Sequence, residues 1–130
     1  MNNEQQIQQL VENWAKAARE KNYDGILAFH HPDIVMYDVP PPFESKGLEA
    51  YKKTWQYFFE WPQNKTGRFD ILELHITAGD DVAFCFAHMQ CASIDDKKPD
   101  DYLHFRLTIG FKKIDGQWWI MHEHHSLPSV

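Results

Sequence analysis

Apolar residues recur three and four positions apart through the first half of this chain and at every second position through the rest. Ile7, Leu10, Val11, Trp14 and Ala18 form one stripe of an amphipathic helix. Asn22 is placed to end that helix, and Asp24 to cap a short second one through Ile26, Leu27 and Phe29 that stops before Pro32. Residues 34–38 read as a short β-type run. It gives way to Val39-Pro40-Pro41-Pro42-Phe43, where three prolines forbid helix and ladder alike. A third helix is predicted over 47–61, with Leu48, Tyr51, Trp55, Phe58 and Phe59 on one side and Pro62 closing it.

Beyond Pro62 the period changes to two. Strands are predicted over 68–78, 82–92, 102–113 and 118–126, separated by Gly79-Asp80-Asp81, a polar connection at 93–101, and Asp115-Gly116. Leu103, Phe105, Leu107, Ile109 and Phe111 alternate with His104, Arg106, Thr108 and Lys112, which defines a two-faced strand. Helices followed by a meander imply an α+β fold. The expected architecture is a cone: a curved antiparallel (mixed) sheet wrapped around three N-terminal helices. An internal pocket, and hence a small-molecule ligand site, is expected where helices and sheet diverge. With no repeat or linker, residues 1–130 are read as one domain.

Composition narrows the function. Thirteen basic residues are scattered among nineteen acidic ones, for a net charge of −6. Nucleic acid is therefore not expected as a partner, since phosphate contacts need clustered Lys and Arg. No apolar run approaches the ~18 residues of a membrane span, and MNNEQQIQQL lacks the layout of a secretory leader. A cytoplasmic protein is the expectation. Cys85 and Cys91 lie six steps apart on one predicted strand, about 20 Å at ~3.3 Å per step. A disulfide needs Cα atoms within ~7 Å, so the two are read as buried, reduced thiols.

Several segments carry a resemblance. They are the first helix with Trp14, the stretch Asn22-Tyr23-Asp24-Gly25-Ile26-Leu27-Ala28-Phe29, Tyr37-Asp38, Gly47, and the ending Trp118-Trp119-Ile120-Met121-His122-Glu123-His124-His125-Ser126. Across nearly its whole length the chain resembles the ketosteroid-isomerase and SnoaL-like branch of the nuclear transport factor 2-like superfamily. The resemblance implies a general base at Asp38, nine residues before Gly47. It also implies that Trp119, Met121, Glu123 and His125 face the cavity, while His122 and His124 face the outer side of the sheet, through which a homodimer forms. In ketosteroid isomerases an oxyanion-hole Tyr stands where Trp14 stands here. A protonated Asp precedes the sequence matching His104-Phe105-Arg106, and here that residue is Leu103. Leucine donates nothing and an indole N–H is a weaker donor than a phenol, so standard steroid isomerisation is not implied.

The candidate catalytic residues are thus Asp38, Glu123 and His125. The candidate pocket residues are Trp14, Trp55, Phe58, Leu103, Phe105, Trp119 and Met121. Each has a plainer reading. Asp38 following an apolar strand is either a desolvated base, a carboxylate bonded to the loop backbone, or simply exposed. The aromatics are either pocket lining or core, and the histidine cluster is either polar pocket rim or a hydrogen-bonded interface. Two imidazoles on one strand face, His122 and His124, are too few for zinc. No metal or organic cofactor is expected. The leading reading is an isomerase, lyase or hydrolase acting on a small molecule. The alternative is a non-catalytic ligand-binding or dimerisation module.

Overall fold

In the computed structural model, residues 1–62, 64, 67–93 and 102–129 are described. The predicted connection at 93–101 lies largely outside them. Helix α1 spans Asn3–Arg19 and starts at a capping box: Asn2 Oδ1 accepts from the Gln5 N–H at 2.8 Å, and Gln5 Oε1 accepts from the Asn2 N–H at 3.0 Å. Its inward stripe buries Ile7, Val11, Trp14 and Ala18. Helix α2 spans only Tyr23–Leu27, and its cap is Asn22, whose Oδ1 accepts from Gly25, rather than Asp24. It does not reach Phe29, because that residue takes φ +58° and turns the chain into β1, His30–Tyr37. Gly25 is required by proximity, since a Cβ there would lie 2.8 Å from the Ala17 Cβ.

Strand β1 is longer than predicted and contains Pro32. The proline is tolerated because the β1 ladder is irregular between His30 and Val35. A two-residue strand β2, Ser45–Lys46, precedes α3, Leu48–Glu60. Then come β3 (Phe69–Ala78), β4 (Val82–Ser93), β5 (Tyr102–Ile114) and β6 (Gln117–Ser126). The six strands form one sheet in the order β2-β1-β6-β5-β4-β3; β1 runs parallel to β6 and the other pairs are antiparallel. Helix α1 lies against β3 and α2, and α3 against β1 and β2. The sheet curves around this helical layer without closing, so the α+β cone expected from the pattern is the fold observed. Cys85 and Cys91 are buried free thiols on β4. Among the described residues no helix is long and apolar enough to cross a membrane.

The pairing of β5 with β6 slips by one residue. Gly110 faces His122 and Phe111 faces Ile120, leaving Met121 as the extra residue of a bulge. Trp118 and Ile120 point inward before it, Glu123 and His125 after it. A strand of strict alternation could not bury both pairs.

Candidate functional site

The parallel pairing of β1 with β6 sets Met36 opposite Glu123 and Tyr37 opposite His124. Asp38, the next residue along β1, therefore comes beside His125 across 87 residues of sequence. Both side chains reach the wall of a cavity of about 420 Å³ between α3, the proline loop and the sheet. Trp55, Phe58, Leu103 and Phe105 line it, with Phe69 and Met36 completing an apolar interior. A hollow of about 180 Å³ adjoins it under the prolines, with Asp38, Pro40, Thr54 and Tyr57 bordering both.

Three expected pocket residues lie elsewhere. Trp119 and Met121 are not on the cavity wall, because the bulge reverses the parity of the first half of β6; Trp119 instead meets the rings of Phe29 and His31 edge-on. Trp14 sits beneath the wall, edge-on to Phe69 and Trp55 with ring centres 5.0 and 5.8 Å away. Its N–H offers no donor to a ligand, because it donates to the Tyr51 hydroxyl at 3.0 Å.

Behind the wall lies a polar network that the pattern did not foretell. Glu123 is fully buried and accepts three hydrogen bonds: from Tyr51 Oη at 2.8 Å and His30 Nε2 at 2.6 Å onto Oε2, and from His125 Nε2 at 3.1 Å onto Oε1. Burial alone would raise the pKa of this carboxyl. The hydrogen bonds from His125 and His30 outweigh burial and hold it down at about 2, so Glu123 is a carboxylate. Tyr51 moves the other way: burial first, then the charge of Glu123, push its phenol well above the usual range, and it remains a donor. The Trp55 N–H leans on the same hydroxyl without good hydrogen-bond geometry.

Glu123 orients His125. With Nε2 committed to the carboxylate, the ring presents Nδ1 toward Asp38 Oδ1, 3.9 Å away. Phe105 stacks on the ring at 5.3 Å and Trp14 meets its edge at 6.2 Å, which fixes its plane. Asp38 is a quarter exposed, and its Oδ1 accepts from the Val39 N–H at 2.8 Å. Cys91 also borders the cavity, but burial pushes its thiol up to about 12, so it is no nucleophile near neutral pH. His122 and His124 turn to the outer face, where both meet the ring of Tyr37. The functional candidates missed in the sequence are His30 and Tyr51. Their only sequence signals were a histidine pair before a proline and a tyrosine in an otherwise apolar helix stripe.

An open curved sheet folded over three helices, with a mostly apolar pocket at its divergent end, defines a protein of the NTF2-like α+β class. The sequence profile of the SnoaL-like domain matches residues 7–129, and the chain belongs to that family. Among solved structures, an NTF2-like protein of unknown function from Pseudomonas putida KT2440 superposes with a TM-score of 0.85 at 28% identity, covering 98% of this chain and 87% of its own. A candidate ketosteroid isomerase from Parabacteroides distasonis gives 0.74 at 16% identity, covering 98% of this chain and 89% of its own. A candidate scytalone dehydratase from Novosphingobium aromaticivorans gives 0.76 at 17%, covering 96% and 83%. At such identities the last two share the fold alone. No curated protein matches the chain by sequence.

Proposed function

We propose that the cavity binds a compact, mostly apolar small molecule carrying a carbonyl and a hydroxyl, and that Asp38 abstracts a carbon-bound proton from it. The observation that carries this reading is the pairing of the Asp38 carboxylate with His125 Nδ1, 3.9 Å apart on a mostly apolar wall, which we read as two proton acceptors. A substrate hydroxyl donates to His125, and Asp38 takes the proton beside the carbonyl. Returned to another carbon, that proton completes an isomerisation. Delivered to a departing hydroxyl, it completes an elimination of water, with the C–H electron pair becoming the new double bond. Both outcomes agree with the names borne by two of the structural neighbours. The absence of a Tyr–Asp donor pair argues against steroid dienolate chemistry, since Leu103 lines the wall and the Trp14 N–H is already bonded.

The assay needs no foreknowledge of the substrate. Compact ketones and β-hydroxyketones are incubated with the protein in D₂O, and deuterium uptake beside the carbonyl is followed by NMR. Exchange is expected for compounds that fit, and Asp38→Asn should lower it by about 10²–10⁴, the usual worth of a positioned base. A folded Asn variant that exchanges as fast as the parent would refute the role of Asp38. Compounds that quench the cavity tryptophans yet show no exchange in either protein would favour a non-catalytic binding module.

We also propose that the outer sheet face joins a second copy of the chain. Leu72, Phe84 and Phe86 are about half exposed there, beside Glu73, His75, His88 and Arg106, a patch with both signs of charge that can complement itself about a two-fold axis. Light scattering should give a dimer, and Phe84→Asp should yield a monomer; a monomeric parent protein excludes the proposal.

A further inference from the structure

One titratable group on the buried side of the site takes no part in the chemistry above. His30 is sealed from solvent, with its ring stacked on Tyr51 at 4.7 Å. Its Nδ1 lies 2.9 Å from the Ala28 carbonyl, which can only accept, so Nδ1 carries a hydrogen. Its Nε2 lies 2.6 Å from Glu123 Oε2. Tyr51 Oη accepts the Trp14 N–H and donates its own hydrogen to Glu123 Oε2. One carboxylate therefore stands between two imidazoles, His30 behind it and His125 on the cavity wall.

A bare carboxylate in so dry a place is costly, and a neighbouring positive charge offsets the cost. Either ring could supply that charge, but only one is built to keep it. His30 has an acceptor within 2.9 Å of each nitrogen, as an imidazolium requires. His125 has an acceptor at Nε2 alone; its Nδ1 stands 3.9 Å from Asp38. We propose that His30 is the standing counter-ion of Glu123, a positioning residue whose charge leaves His125 neutral, with the Nδ1 lone pair turned to the cavity. The proposal rests on the reading of Asp38 and His125 as the reactive pair and adds what keeps His125 a proton acceptor.

The neighbours leave His30 without a rival. Tyr51 from α3 stays a neutral phenol. From β4, Cys85 and Cys91 are neutral thiols, each pushed up to about 12 by burial. From β5 and α1, Phe105 and Trp14 give His125 only aromatic contact. Asp38, at the end of β1, is the other carboxylate near His125. With His30 uncharged, Glu123 would draw the positive charge onto His125 and silence its Nδ1.

The test is NMR of protein labelled with ¹⁵N at the histidine rings, followed from about pH 5 to 8, where an imidazole ordinarily titrates. In the parent protein both His30 nitrogens should read as protonated across this range, and His125 should show a single protonated nitrogen at neutral pH. His30→Gln keeps a hydrogen-bond donor near Nε2 but removes the charge. In that variant the pH at which His125 loses its second proton should rise. A neutral His30 ring in the parent protein, or an unmoved His125 midpoint in folded His30→Gln, overturns the proposal. If His30→Gln does not fold, the parent spectrum decides alone. The two proposals fail separately: the expected His30 spectrum without deuterium exchange refutes only the catalytic reading, and exchange with a neutral His30 refutes only this one.

Discussion

Glu123→Gln is the substitution whose consequences the geometry defines most fully. The side chain keeps its shape, and one amide oxygen can still accept from Tyr51 and His30. The NH₂ then faces His125 Nε2 and the negative charge is gone. Two routes give the size of the loss. Holding the carboxyl at about 2 rather than 4.5 corresponds to ~3 kcal/mol of interaction favouring the folded, ionised form. Breaking a buried ion pair by removing one partner typically costs about 3–5 kcal/mol. The retained acceptor offsets part of this, so about 2–4 kcal/mol is expected at neutral pH. In urea, with a slope near ~1.5 kcal/mol per molar, the midpoint should fall by about 2 M. The pH dependence gives a sharper test. Because the folded pKa lies below the unfolded one, the unfolded chain binds more protons between these values. The contribution of Glu123 is therefore complete above 4.5 and fades as pH falls toward 2. The gap between parent and variant should narrow as pH falls through that window. A gap under about 1 kcal/mol at pH 7, or one that ignores pH between 5 and 2, would refute the ionised, triply bonded carboxylate.

Two further predictions follow from burial and close approach. Gly25→Ala would place a Cβ 2.8 Å from that of Ala17, and it should cost about 1–3 kcal/mol in thermal or urea unfolding. Adding Ala17→Gly should recover part of that loss, and no recovery would locate the strain elsewhere. Cys85 and Cys91, with thiols pushed up to about 12 by burial, should resist iodoacetamide at pH 8 until the chain unfolds. Rapid labelling of the native protein, read by intact mass, would contradict the packing of β4.

Much of the cone was legible because hydrophobic period is a local property. The stripe from Ile7 to Ala18 and the alternation from Leu103 to Phe111 each declare an element without reference to the rest of the chain. Element ends were less legible, since Asn22 and Asp24 are both good capping residues and the cap that forms is Asn22. Asp38, Glu123 and His125 could be singled out by position, but the network joining them could not. His30 and Tyr51 reach Glu123 across 93 and 72 residues, and nothing local marks a buried histidine as the partner of a distant carboxylate. The parity of β6 was misread for a similar reason. A bulge with no glycine in β6 to announce it exists only in the pairing of two strands.

That bulge makes β6 a strand with a movable reading frame. Removing one residue from a central strand ordinarily turns everything beyond it inside out. Met121 is the exception here, since it is the residue that interrupts alternation. Its deletion leaves Trp118, Ile120, Glu123 and His125 all facing inward. A chain lacking Met121 should therefore still fold, but with a straighter β6 whose far end has slid by about one residue, ~3.3 Å, along β1. Such a slide would part Glu123 from His30 while sparing the fold. One surplus methionine thus sets how far the buried carboxylate stands along the strand, and with it which histidine it meets.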